Sequence, residues 1–301
     1  MSADPAVRLQ GLHRRFGEVR AVNGVDLEVP RGCTFGLLGP NGAGKTTTLK
    51  LLLGLLRPDS GTVELLGQPV SGASLPGLLA RVGYVSEGRD LYDYLRVGEL
   101  LALNARLYPS WDGDAVRRYL EIFNLPAGRR VDELSQGMKS QLALVLALGQ
   151  RPELLVLDEP TGGLDPVMRR EFLALVADEV AGGRTCVLSS HILHEVERVA
   201  DLVAIMQHGR ILAVRSMEAI RSNEKRIRFV PQHEVKEEDL RLAGVAAVER
   251  QGKGFVLSVS ADLDAVIRRL AAVPHFVLEV IDLNLEDVFF DYVDKESGRR
   301  G

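Results

Sequence analysis

The hydrophobic pattern of the first half of the chain alternates between strands and helices. Short apolar runs rich in β-branched residues predict strands, and apolar positions three and four residues apart predict helices. The predicted strands are Val7–Phe16, Ala21–Val29, Thr34–Leu38, Thr62–Leu66 and Arg81–Val85, and a helix is predicted at Thr48–Leu56. From Leu91 the spacing is mainly helical, with helices predicted at Leu95–Leu107, Ala115–Phe123 and Met138–Leu148.

The alternation resumes after Gln150. Strands are predicted at Leu154–Leu157, Thr185–Ser189 and Leu202–Met206, and helices at Pro166–Val180 and Ile192–Val199. The pattern therefore predicts an α/β core that a mainly helical segment, about residues 88–150, interrupts.

The last part of the chain, residues 216–301, has a different order of elements. Strands are predicted at Ile227–Val230, Ala246–Glu249, Phe255–Val259 and Phe276–Ile281, and helices at Leu263–Ala272 and Leu285–Tyr292. This order predicts a small C-terminal α+β domain, with a boundary near Met217–Lys225 and a larger first domain over residues 1–215.

Composition excludes several classes of protein. The formal net charge of −4 gives no overall basic field, so we expect no nucleic-acid partner. The spacing of Cys33 and Cys186 is not that of metal ligands. A disulfide between them is an alternative, but we expect reduced thiols in a cytosolic protein. The apolar runs are much shorter than the roughly 20 residues that cross a bilayer, and the N-terminus lacks a signal-peptide pattern. Work at a membrane would therefore require a separate membrane protein.

The segment Gly39–Thr46 fits the pattern G-x-x-x-x-G-K-[ST]. Such glycines let backbone N–H groups turn towards phosphates, and a following helix adds its positive N-terminal end. Lys45 would contact the β- and γ-phosphates, and Thr46 would supply a hydroxyl to Mg²⁺. An ordinary glycine-rich turn is the alternative, but the predicted strand before the segment and helix after it favour a phosphate loop.

A second motif is the apolar strand that ends in two carboxylates, Asp158 and Glu159. The carboxyl edge of an α/β sheet is where ligands bind. Asp158 would hold Mg²⁺ through water, and Glu159 would polarise the water that attacks the γ-phosphate. An acidic strand end at the surface is the alternative, which the phosphate loop upstream disfavours.

With these motifs the sequence resembles the ABC ATPase family, over about Val7 to Arg215. Five further segments carry the resemblance: Leu134–Met138 for the LSGGQ signature, Thr161–Asp165 for the D-loop, Ser189–His191 for the switch histidine, Gly83–Glu87 for the Q-loop and Phe16 for the adenine-stacking aromatic. The family implies a P-loop NTPase (RecA-like) core with an antiparallel β subdomain and a helical subdomain, and ATP and Mg²⁺ as ligands.

The resemblance also implies roles for individual residues. The implied nucleotide contacts are Phe16, Gly39, Asn41, Gly42, Ala43, Gly44, Lys45, Thr46, Thr47, Ser135, Gly137 and Asp165. The implied catalytic residues are Lys45, Glu159 and His191, and the implied metal ligands are Thr46, Asp158 and Glu87. Plainer alternatives stay open: Ser135 as a helix N-cap, His191 as a structural residue and Phe16 as a core residue.

The chain departs from the family pattern at several positions. Glu87 replaces the usual Gln, and a carboxylate accepts hydrogen bonds but cannot donate them as an amide does. Gln136 and Met138 replace two residues of the signature, and Gly162 replaces the usual Ser of the D-loop, which loosens the backbone there. Glu at the Q-loop position is frequent among ABC-2-type exporters.

The C-terminal part adds a resemblance to the bacterial ABC-2-type exporter branch. Asn284–Phe289 is similar to the S-L-E-D-x-F segment of that branch, and Tyr108–Asp112 and Ser135–Lys139 are also similar to bacterial members. The branch implies an ATP-hydrolysing subunit that powers export by a separate membrane permease, from the cytoplasmic face of the membrane. It also implies a dimer, most simply a homodimer, that encloses two ATP molecules.

Three other functions compete with this interpretation. A soluble ABC ATPase acting on nucleic acid or ribosomes usually carries two cassettes or basic tracts, which this chain lacks. An importer ATPase is disfavoured by Glu87 and the C-terminal domain. A non-catalytic regulatory subunit is disfavoured by the presence of Lys45, Asp158, Glu159 and His191.

Overall fold

A computed structural model describes residues 4–72, 75–88, 91–223, 225–259, 261–282 and 284–298. Arg89 and Asp90, at the start of the predicted helical subdomain, lie outside this part of the chain. The chain divides into two compact units, Met1–Val214 and Arg215–Gly301. None of the helices within the described ranges has the length and apolar character needed to cross a membrane.

The first unit is built mainly from strands and the helices that follow them. Its strands are β1 Val7–Phe16, β2 Val19–Val29, β3 Thr34–Leu38, β4 Ser60–Leu65, β5 Gln68–Pro69, β6 Val82–Val85, β7 Leu154–Asp158, β8 Thr185–Ser190, β9 Leu202–Gln207 and β10 Arg210–Ser216, the last of which runs into the second unit. Its helices are α1 Lys45–Leu52, α2 Leu75–Leu79, α3 Val97–Leu107, α4 Gly113–Ile122, α5 Gln136–Gly149, α6 Pro166–Ala181 and α7 Leu193–Val199.

A six-stranded sheet in the order β10-β9-β3-β8-β7-β6 forms the centre of this unit. β3 pairs in parallel with β8 and β9, and β7 pairs in parallel with β6 and β8. Every residue of β3, β7 and β8 is buried, as expected for parallel strands covered on both faces. Because parallel strands end at one edge, the segments after β3, β7 and β8 lie side by side.

A second sheet, antiparallel and four-stranded in the order β2-β1-β4-β5, shares a core with the central sheet. Leu9 and Val25 from the antiparallel sheet and Phe35 from β3 belong to one buried cluster that also contains Leu49 of α1. The helical segment packs α3 and α4 against α5. The buried side chains of α5 include the run Leu142–Leu148.

The second unit is an α+β fold with its own core. Its elements are α8 Met217–Asn223, β11 Lys225–Pro231, β12 Val245–Gln251, β13 Gly254–Val259, α9 Leu263–Ala271, β14 His275–Asp282 and α10 Leu285–Gly298. The strands form an antiparallel sheet in the order β12-β13-β11-β14. Ile227, Phe229 and Leu257 of this sheet pack with Val266 and Leu270 of α9.

The predicted elements differ from the observed ones at several places, including β5 and α2, which the pattern did not predict. The sequence pattern left Arg210–Ser216 and Met217–Asn223 without an element, whereas they form β10 and α8. The first helix begins at Lys45 rather than Thr48. The threonines after Lys45 are weak helix formers, so the apolar pattern does not mark the first turn, which tertiary contacts fix instead.

Both cysteines are buried and free. The backbone N–H of Cys186 in β8 donates to the carbonyl oxygen of Cys33 at 3.0 Å, and Cys33 lies just before β3, so both residues are at the amino-terminal edge of the central sheet. Burial raises the pKa of Cys33 to about 11 and raises the pKa of Cys186 as well.

Candidate functional site

The segment from residue 39 to residue 44 connects β3 to α1, and the residues from Pro40 to Thr46 line an open pocket of about 520 Å³. Gly44 has φ = 109°, and a Cβ at this position would lie 2.3 Å from the carbonyl oxygen of Ala21. Only glycine fits both conditions without strain. The pocket thus lies against loop backbone at the N-terminal end of α1, an arrangement that binds anions.

Lys45 folds back over the loop. Its Nζ donates to the carbonyl oxygen of Gly39 at 2.7 Å and lies 3.1 Å from Oε1 of Glu159. The lysine is almost fully buried, so its charge is compensated inside the protein by these two partners. The one positive side chain of the loop therefore lies between the loop carbonyl groups and the acidic end of β7.

Asp158, the last residue of β7, is fully buried. Its Oδ1 accepts hydrogen bonds from Thr46 Oγ1 at 3.1 Å and from Ser189 Oγ at 2.7 Å. Its Oδ2 is buried and has no hydrogen-bond partner among the residues that the structure describes. A buried carboxylate oxygen without a partner is unusual. It is the kind of atom that a divalent cation or a bound water can satisfy.

Glu159 follows in a left-handed conformation, with φ = 45°. Its backbone N–H donates to Ser189 Oγ at 3.0 Å, and its Oε2 lies 2.8 Å from Nδ1 of His191. The side chain is mostly buried but lines the pocket. Glu159 is thus held by Ser189 within β8, by His191 just after that strand, and by Lys45.

The structure also places the other predicted residues. The pocket is lined by six of these residues: Asn41, Gly42, Ala43, Thr46, Thr47 and Glu87. Phe16 lies outside this lining, is partly exposed, and has the guanidinium of Arg14 over its ring at 4.8 Å from the centroid. Val19, Arg20 and His208 line the pocket instead, and no sequence motif singled them out.

Besides Phe16 and Gly39, three more of the predicted nucleotide contacts lie outside the lining of this pocket. Ser135 caps α5, accepting from the backbone N–H of Met138 at 3.2 Å, so the predicted N-cap geometry is present. Asp165 caps α6 through the backbone N–H groups of Val167 and Met168. Gly137 packs near Leu164, where a Cβ would approach the leucine side chain to 3.3 Å. Within one chain, none of the three contributes to the pocket lining.

Ser189 is a further side chain of the candidate site that sequence reasoning missed. It lay inside the motif that drew attention to His191, but its hydroxyl connects Asp158 to the backbone of Glu159. A serine in a buried strand carries no pattern of its own. Only the pairing of β7 with β8, which sets Asp158 opposite Ser189, reveals its role.

Comparison with known proteins gives consistent matches. A sequence model of the family described as ABC transporter matches residues 22–162. Nod factor export ATP-binding protein I of Burkholderia lata is 39% identical over 223 residues, which are 72% of this chain and 73% of that protein. Bacitracin transport ATP-binding protein BcrA of Enterococcus faecalis is 36% identical over 235 residues, 76% of this chain and 75% of the relative.

Solved structures agree with the sequence relatives. A structure described as the ATP binding subunit of an ABC transporter superposes with a TM-score of 0.66 at 30% identity, and the match covers 72% of this chain and 92% of the chain in that structure. A dimeric bacterial ABC transporter cassette superposes with a TM-score of 0.64 at 22% identity, and the match covers 70% of this chain and 98% of the chain in that structure. The second match supports the fold.

Proposed function

The chain belongs to the ABC transporter family, and from that premise we propose that it is the ATP-binding and ATP-hydrolysing subunit of an exporter. The observation that carries the proposal is the single cluster formed by Lys45, Asp158, Glu159 and His191 beside the phosphate loop. Relatives named for Nod factor export and bacitracin transport support export as the process that hydrolysis powers.

The residues at the acidic end of β7 fit a Mg²⁺ site. Asp158 offers a buried carboxylate oxygen without a partner, and the hydroxyl of Thr46 lies 3.1 Å from the other oxygen. Glu87 lines the same pocket and can contribute through water. Oxygen ligands of this kind are those that Mg²⁺ prefers, and when bound it would neutralise charge on the phosphates.

Glu159 is the proposed general base. His191 and the backbone contact with Ser189 hold the carboxylate, so that Oε2 is engaged and Oε1 faces Lys45. The phosphates of ATP compete for the Lys45 ammonium and draw it away from Oε1. Oε1 then accepts the proton of the attacking water. Because Lys45 must leave Oε1 before Oε1 can accept a proton, Glu159 can act as a base only after the nucleotide has bound.

The complete site is proposed to form between two copies of the chain. Ser135 and Gly137 stand at the N-terminal end of α5, which suits a phosphate, yet neither lines the pocket of its own chain. A second chain that presents this end of α5 would close the open side of the pocket. Hydrolysis would then depend on closure of the dimer.

The other partner is proposed to be a membrane permease that carries the export pathway. The chain would work at the cytoplasmic face of the membrane, with the region from Glu87 to Leu107 touching the permease. Residues 1–215 would form the ATP-binding cassette and residues 216–301 an accessory domain.

The proposal is tested with purified protein and Mg-ATP. Wild type should release phosphate, whereas Glu159→Gln keeps the shape of the side chain and removes the proton acceptor. Its hydrolysis should fall roughly 10²-fold or more while ATP binding remains. Membrane vesicles containing the chain and a permease that co-purifies with it should then export substrate only with hydrolysable ATP. Near-normal turnover by Glu159→Gln would contradict the assignment of the base.

A further inference from the structure

A second buried polar cluster surrounds Glu195 of α7. The hydroxyl of Thr161 donates to Oε2 of Glu195 at 2.5 Å, and Nε of Arg169 lies 2.8 Å from Oε1. Glu195 is only 2% exposed, and Thr161 is equally buried. A carboxylate is rarely buried to this extent unless it is paired. None of the pocket contacts described above uses Glu195.

The cluster holds both ends of one turn. Arg169, besides pairing with Glu195, donates from Nη2 to the carbonyl oxygen of Leu164 at 3.2 Å. The backbone N–H of Leu164 in turn donates to the carbonyl oxygen of Thr161 at 3.1 Å. The turn Thr161–Leu164 is therefore attached to α7 at its first residue directly and at its last residue through Arg169.

The same two segments meet a second time at the candidate base. Thr161 comes two residues after Glu159, and Glu195 comes four residues after His191. His191 contacts Glu159 at 2.8 Å, and Thr161 contacts Glu195 at 2.5 Å. Two side-chain contacts thus close a ring that includes both short stretches of backbone. A shift of the turn relative to α7 would change the geometry between His191 and Glu159.

We propose that Glu195 is a positioning residue that fixes the turn Thr161–Leu164 to α7 and thereby holds the His191–Glu159 pair in its working geometry. The inference rests on the proposed function, in which Glu159 is the base. If the role of Glu195 were purely structural, its buried ion pair with Arg169 would only stabilise the fold. Buried ion pairs commonly add little net stability, because desolvation offsets the attraction, whereas in some proteins they specify one arrangement of their neighbours.

Paired substitutions separate the two roles. Thr161→Val removes the hydroxyl at nearly constant shape, Thr161→Ser keeps it, and Glu195→Gln keeps an acceptor oxygen but loses the charge that faces Arg169. Glu171→Gln, which changes an exposed carboxylate on α6, is the matched control. For each purified full-length variant we would measure kcat for Mg-ATP, the affinity for a non-hydrolysable ATP analogue and the thermal unfolding temperature.

We expect kcat to fall about tenfold or more in Thr161→Val and Glu195→Gln, because small misplacements of reacting groups are costly. Analogue affinity should stay within about twofold, since the phosphate loop is untouched. Thr161→Ser should restore kcat, and Glu171→Gln should match wild type. If Glu195→Gln does not fold, the Val and Ser variants at position 161 decide the question.

Unchanged kcat in folded Thr161→Val, or equal losses in the Val and Ser variants, would overturn the inference. A loss of kcat that only parallels a loss of analogue affinity would also overturn it. These outcomes differ from failure of the proposed function, in which wild type itself would not hydrolyse Mg-ATP.

Discussion

Replacement of Ser189 by Ala should destabilise the first unit far more than the same change at the next residue. The Ser189 hydroxyl donates to Asp158 Oδ1 at 2.7 Å and accepts from the backbone N–H of Glu159 at 3.0 Å, in a fully buried position. Its removal takes a hydrogen bond from a buried charge and leaves a backbone donor without a partner. We expect a loss of about 3 kcal/mol, the sum of the two effects at the lower part of their ranges.

The neighbouring serine provides the control. Ser190 is equally buried, but its hydroxyl has one described contact, accepting from the backbone N–H of Ile192 at 2.9 Å. Ser190→Ala should therefore cost about 1 kcal/mol. Trp111 is the only tryptophan and lies in the first unit, so its fluorescence reports urea unfolding of that unit.

The urea midpoint of Ser189→Ala should fall by about 1 M, and that of Ser190→Ala by about a third of this amount. The slope of the unfolding transition should stay the same in both variants, which would show that the change is one of stability. Equal midpoints for the two variants would refute the reasoning, because they would mean that the contacts of Ser189 add nothing beyond those of an ordinary strand serine.

Three further predictions follow from the described geometry. Gly44→Ala should abolish ATP binding and lower the urea midpoint, because φ is 109° and the new Cβ would lie 2.3 Å from a backbone oxygen. The control is Gly42→Ala, where φ is 80° and no atom lies within 4 Å of the new Cβ, so the free energy of unfolding should fall by only about 1 kcal/mol. A mixture of Ser135→Arg and Glu159→Gln chains should hydrolyse ATP faster than the sum of the separate variants. In the mixed dimer, one site combines the intact Glu159 of the first variant with the intact Ser135 of the second. If mixed dimers form without such a rise in hydrolysis, the result would count against shared sites. Cys33, with a pKa of about 11, should be about a thousandth ionised at pH 8 and should react with a thiol reagent only after unfolding; fast labelling of native protein would contradict its burial.

The family and the fold could be predicted because their signals are local. The phosphate loop combines a fixed spacing with a strand before it and a helix after it, and the carboxylates Asp158 and Glu159 follow an apolar run. The predictions of an ABC family member of the ABC-2 exporter branch and of a P-loop fold are confirmed by the matches. The roles assigned to individual residues stay predictions.

The contacts that hold the site together could not be predicted in the same way. Ser189 acts through the register of β7 with β8, and Glu195 acts through contacts with two segments about thirty residues earlier in the chain. Such relations appear only when the strands are assembled, because no periodic pattern marks them. Arg20 and His208 were missed for the same reason: the pocket wall joins β2 to the turn between β9 and β10.

The left-handed backbone of Glu159 has a consequence for protein engineering. A non-glycine residue with φ = 45° costs about 1 kcal/mol or more relative to one that favours this conformation. Asparagine tolerates the conformation better, so backbone strain alone would favour Glu159→Asn. That variant would, however, lose its proton acceptor and remove the carboxylate that faces the buried Lys45 ammonium. The position is therefore one where backbone conformation and side-chain chemistry favour different amino acids.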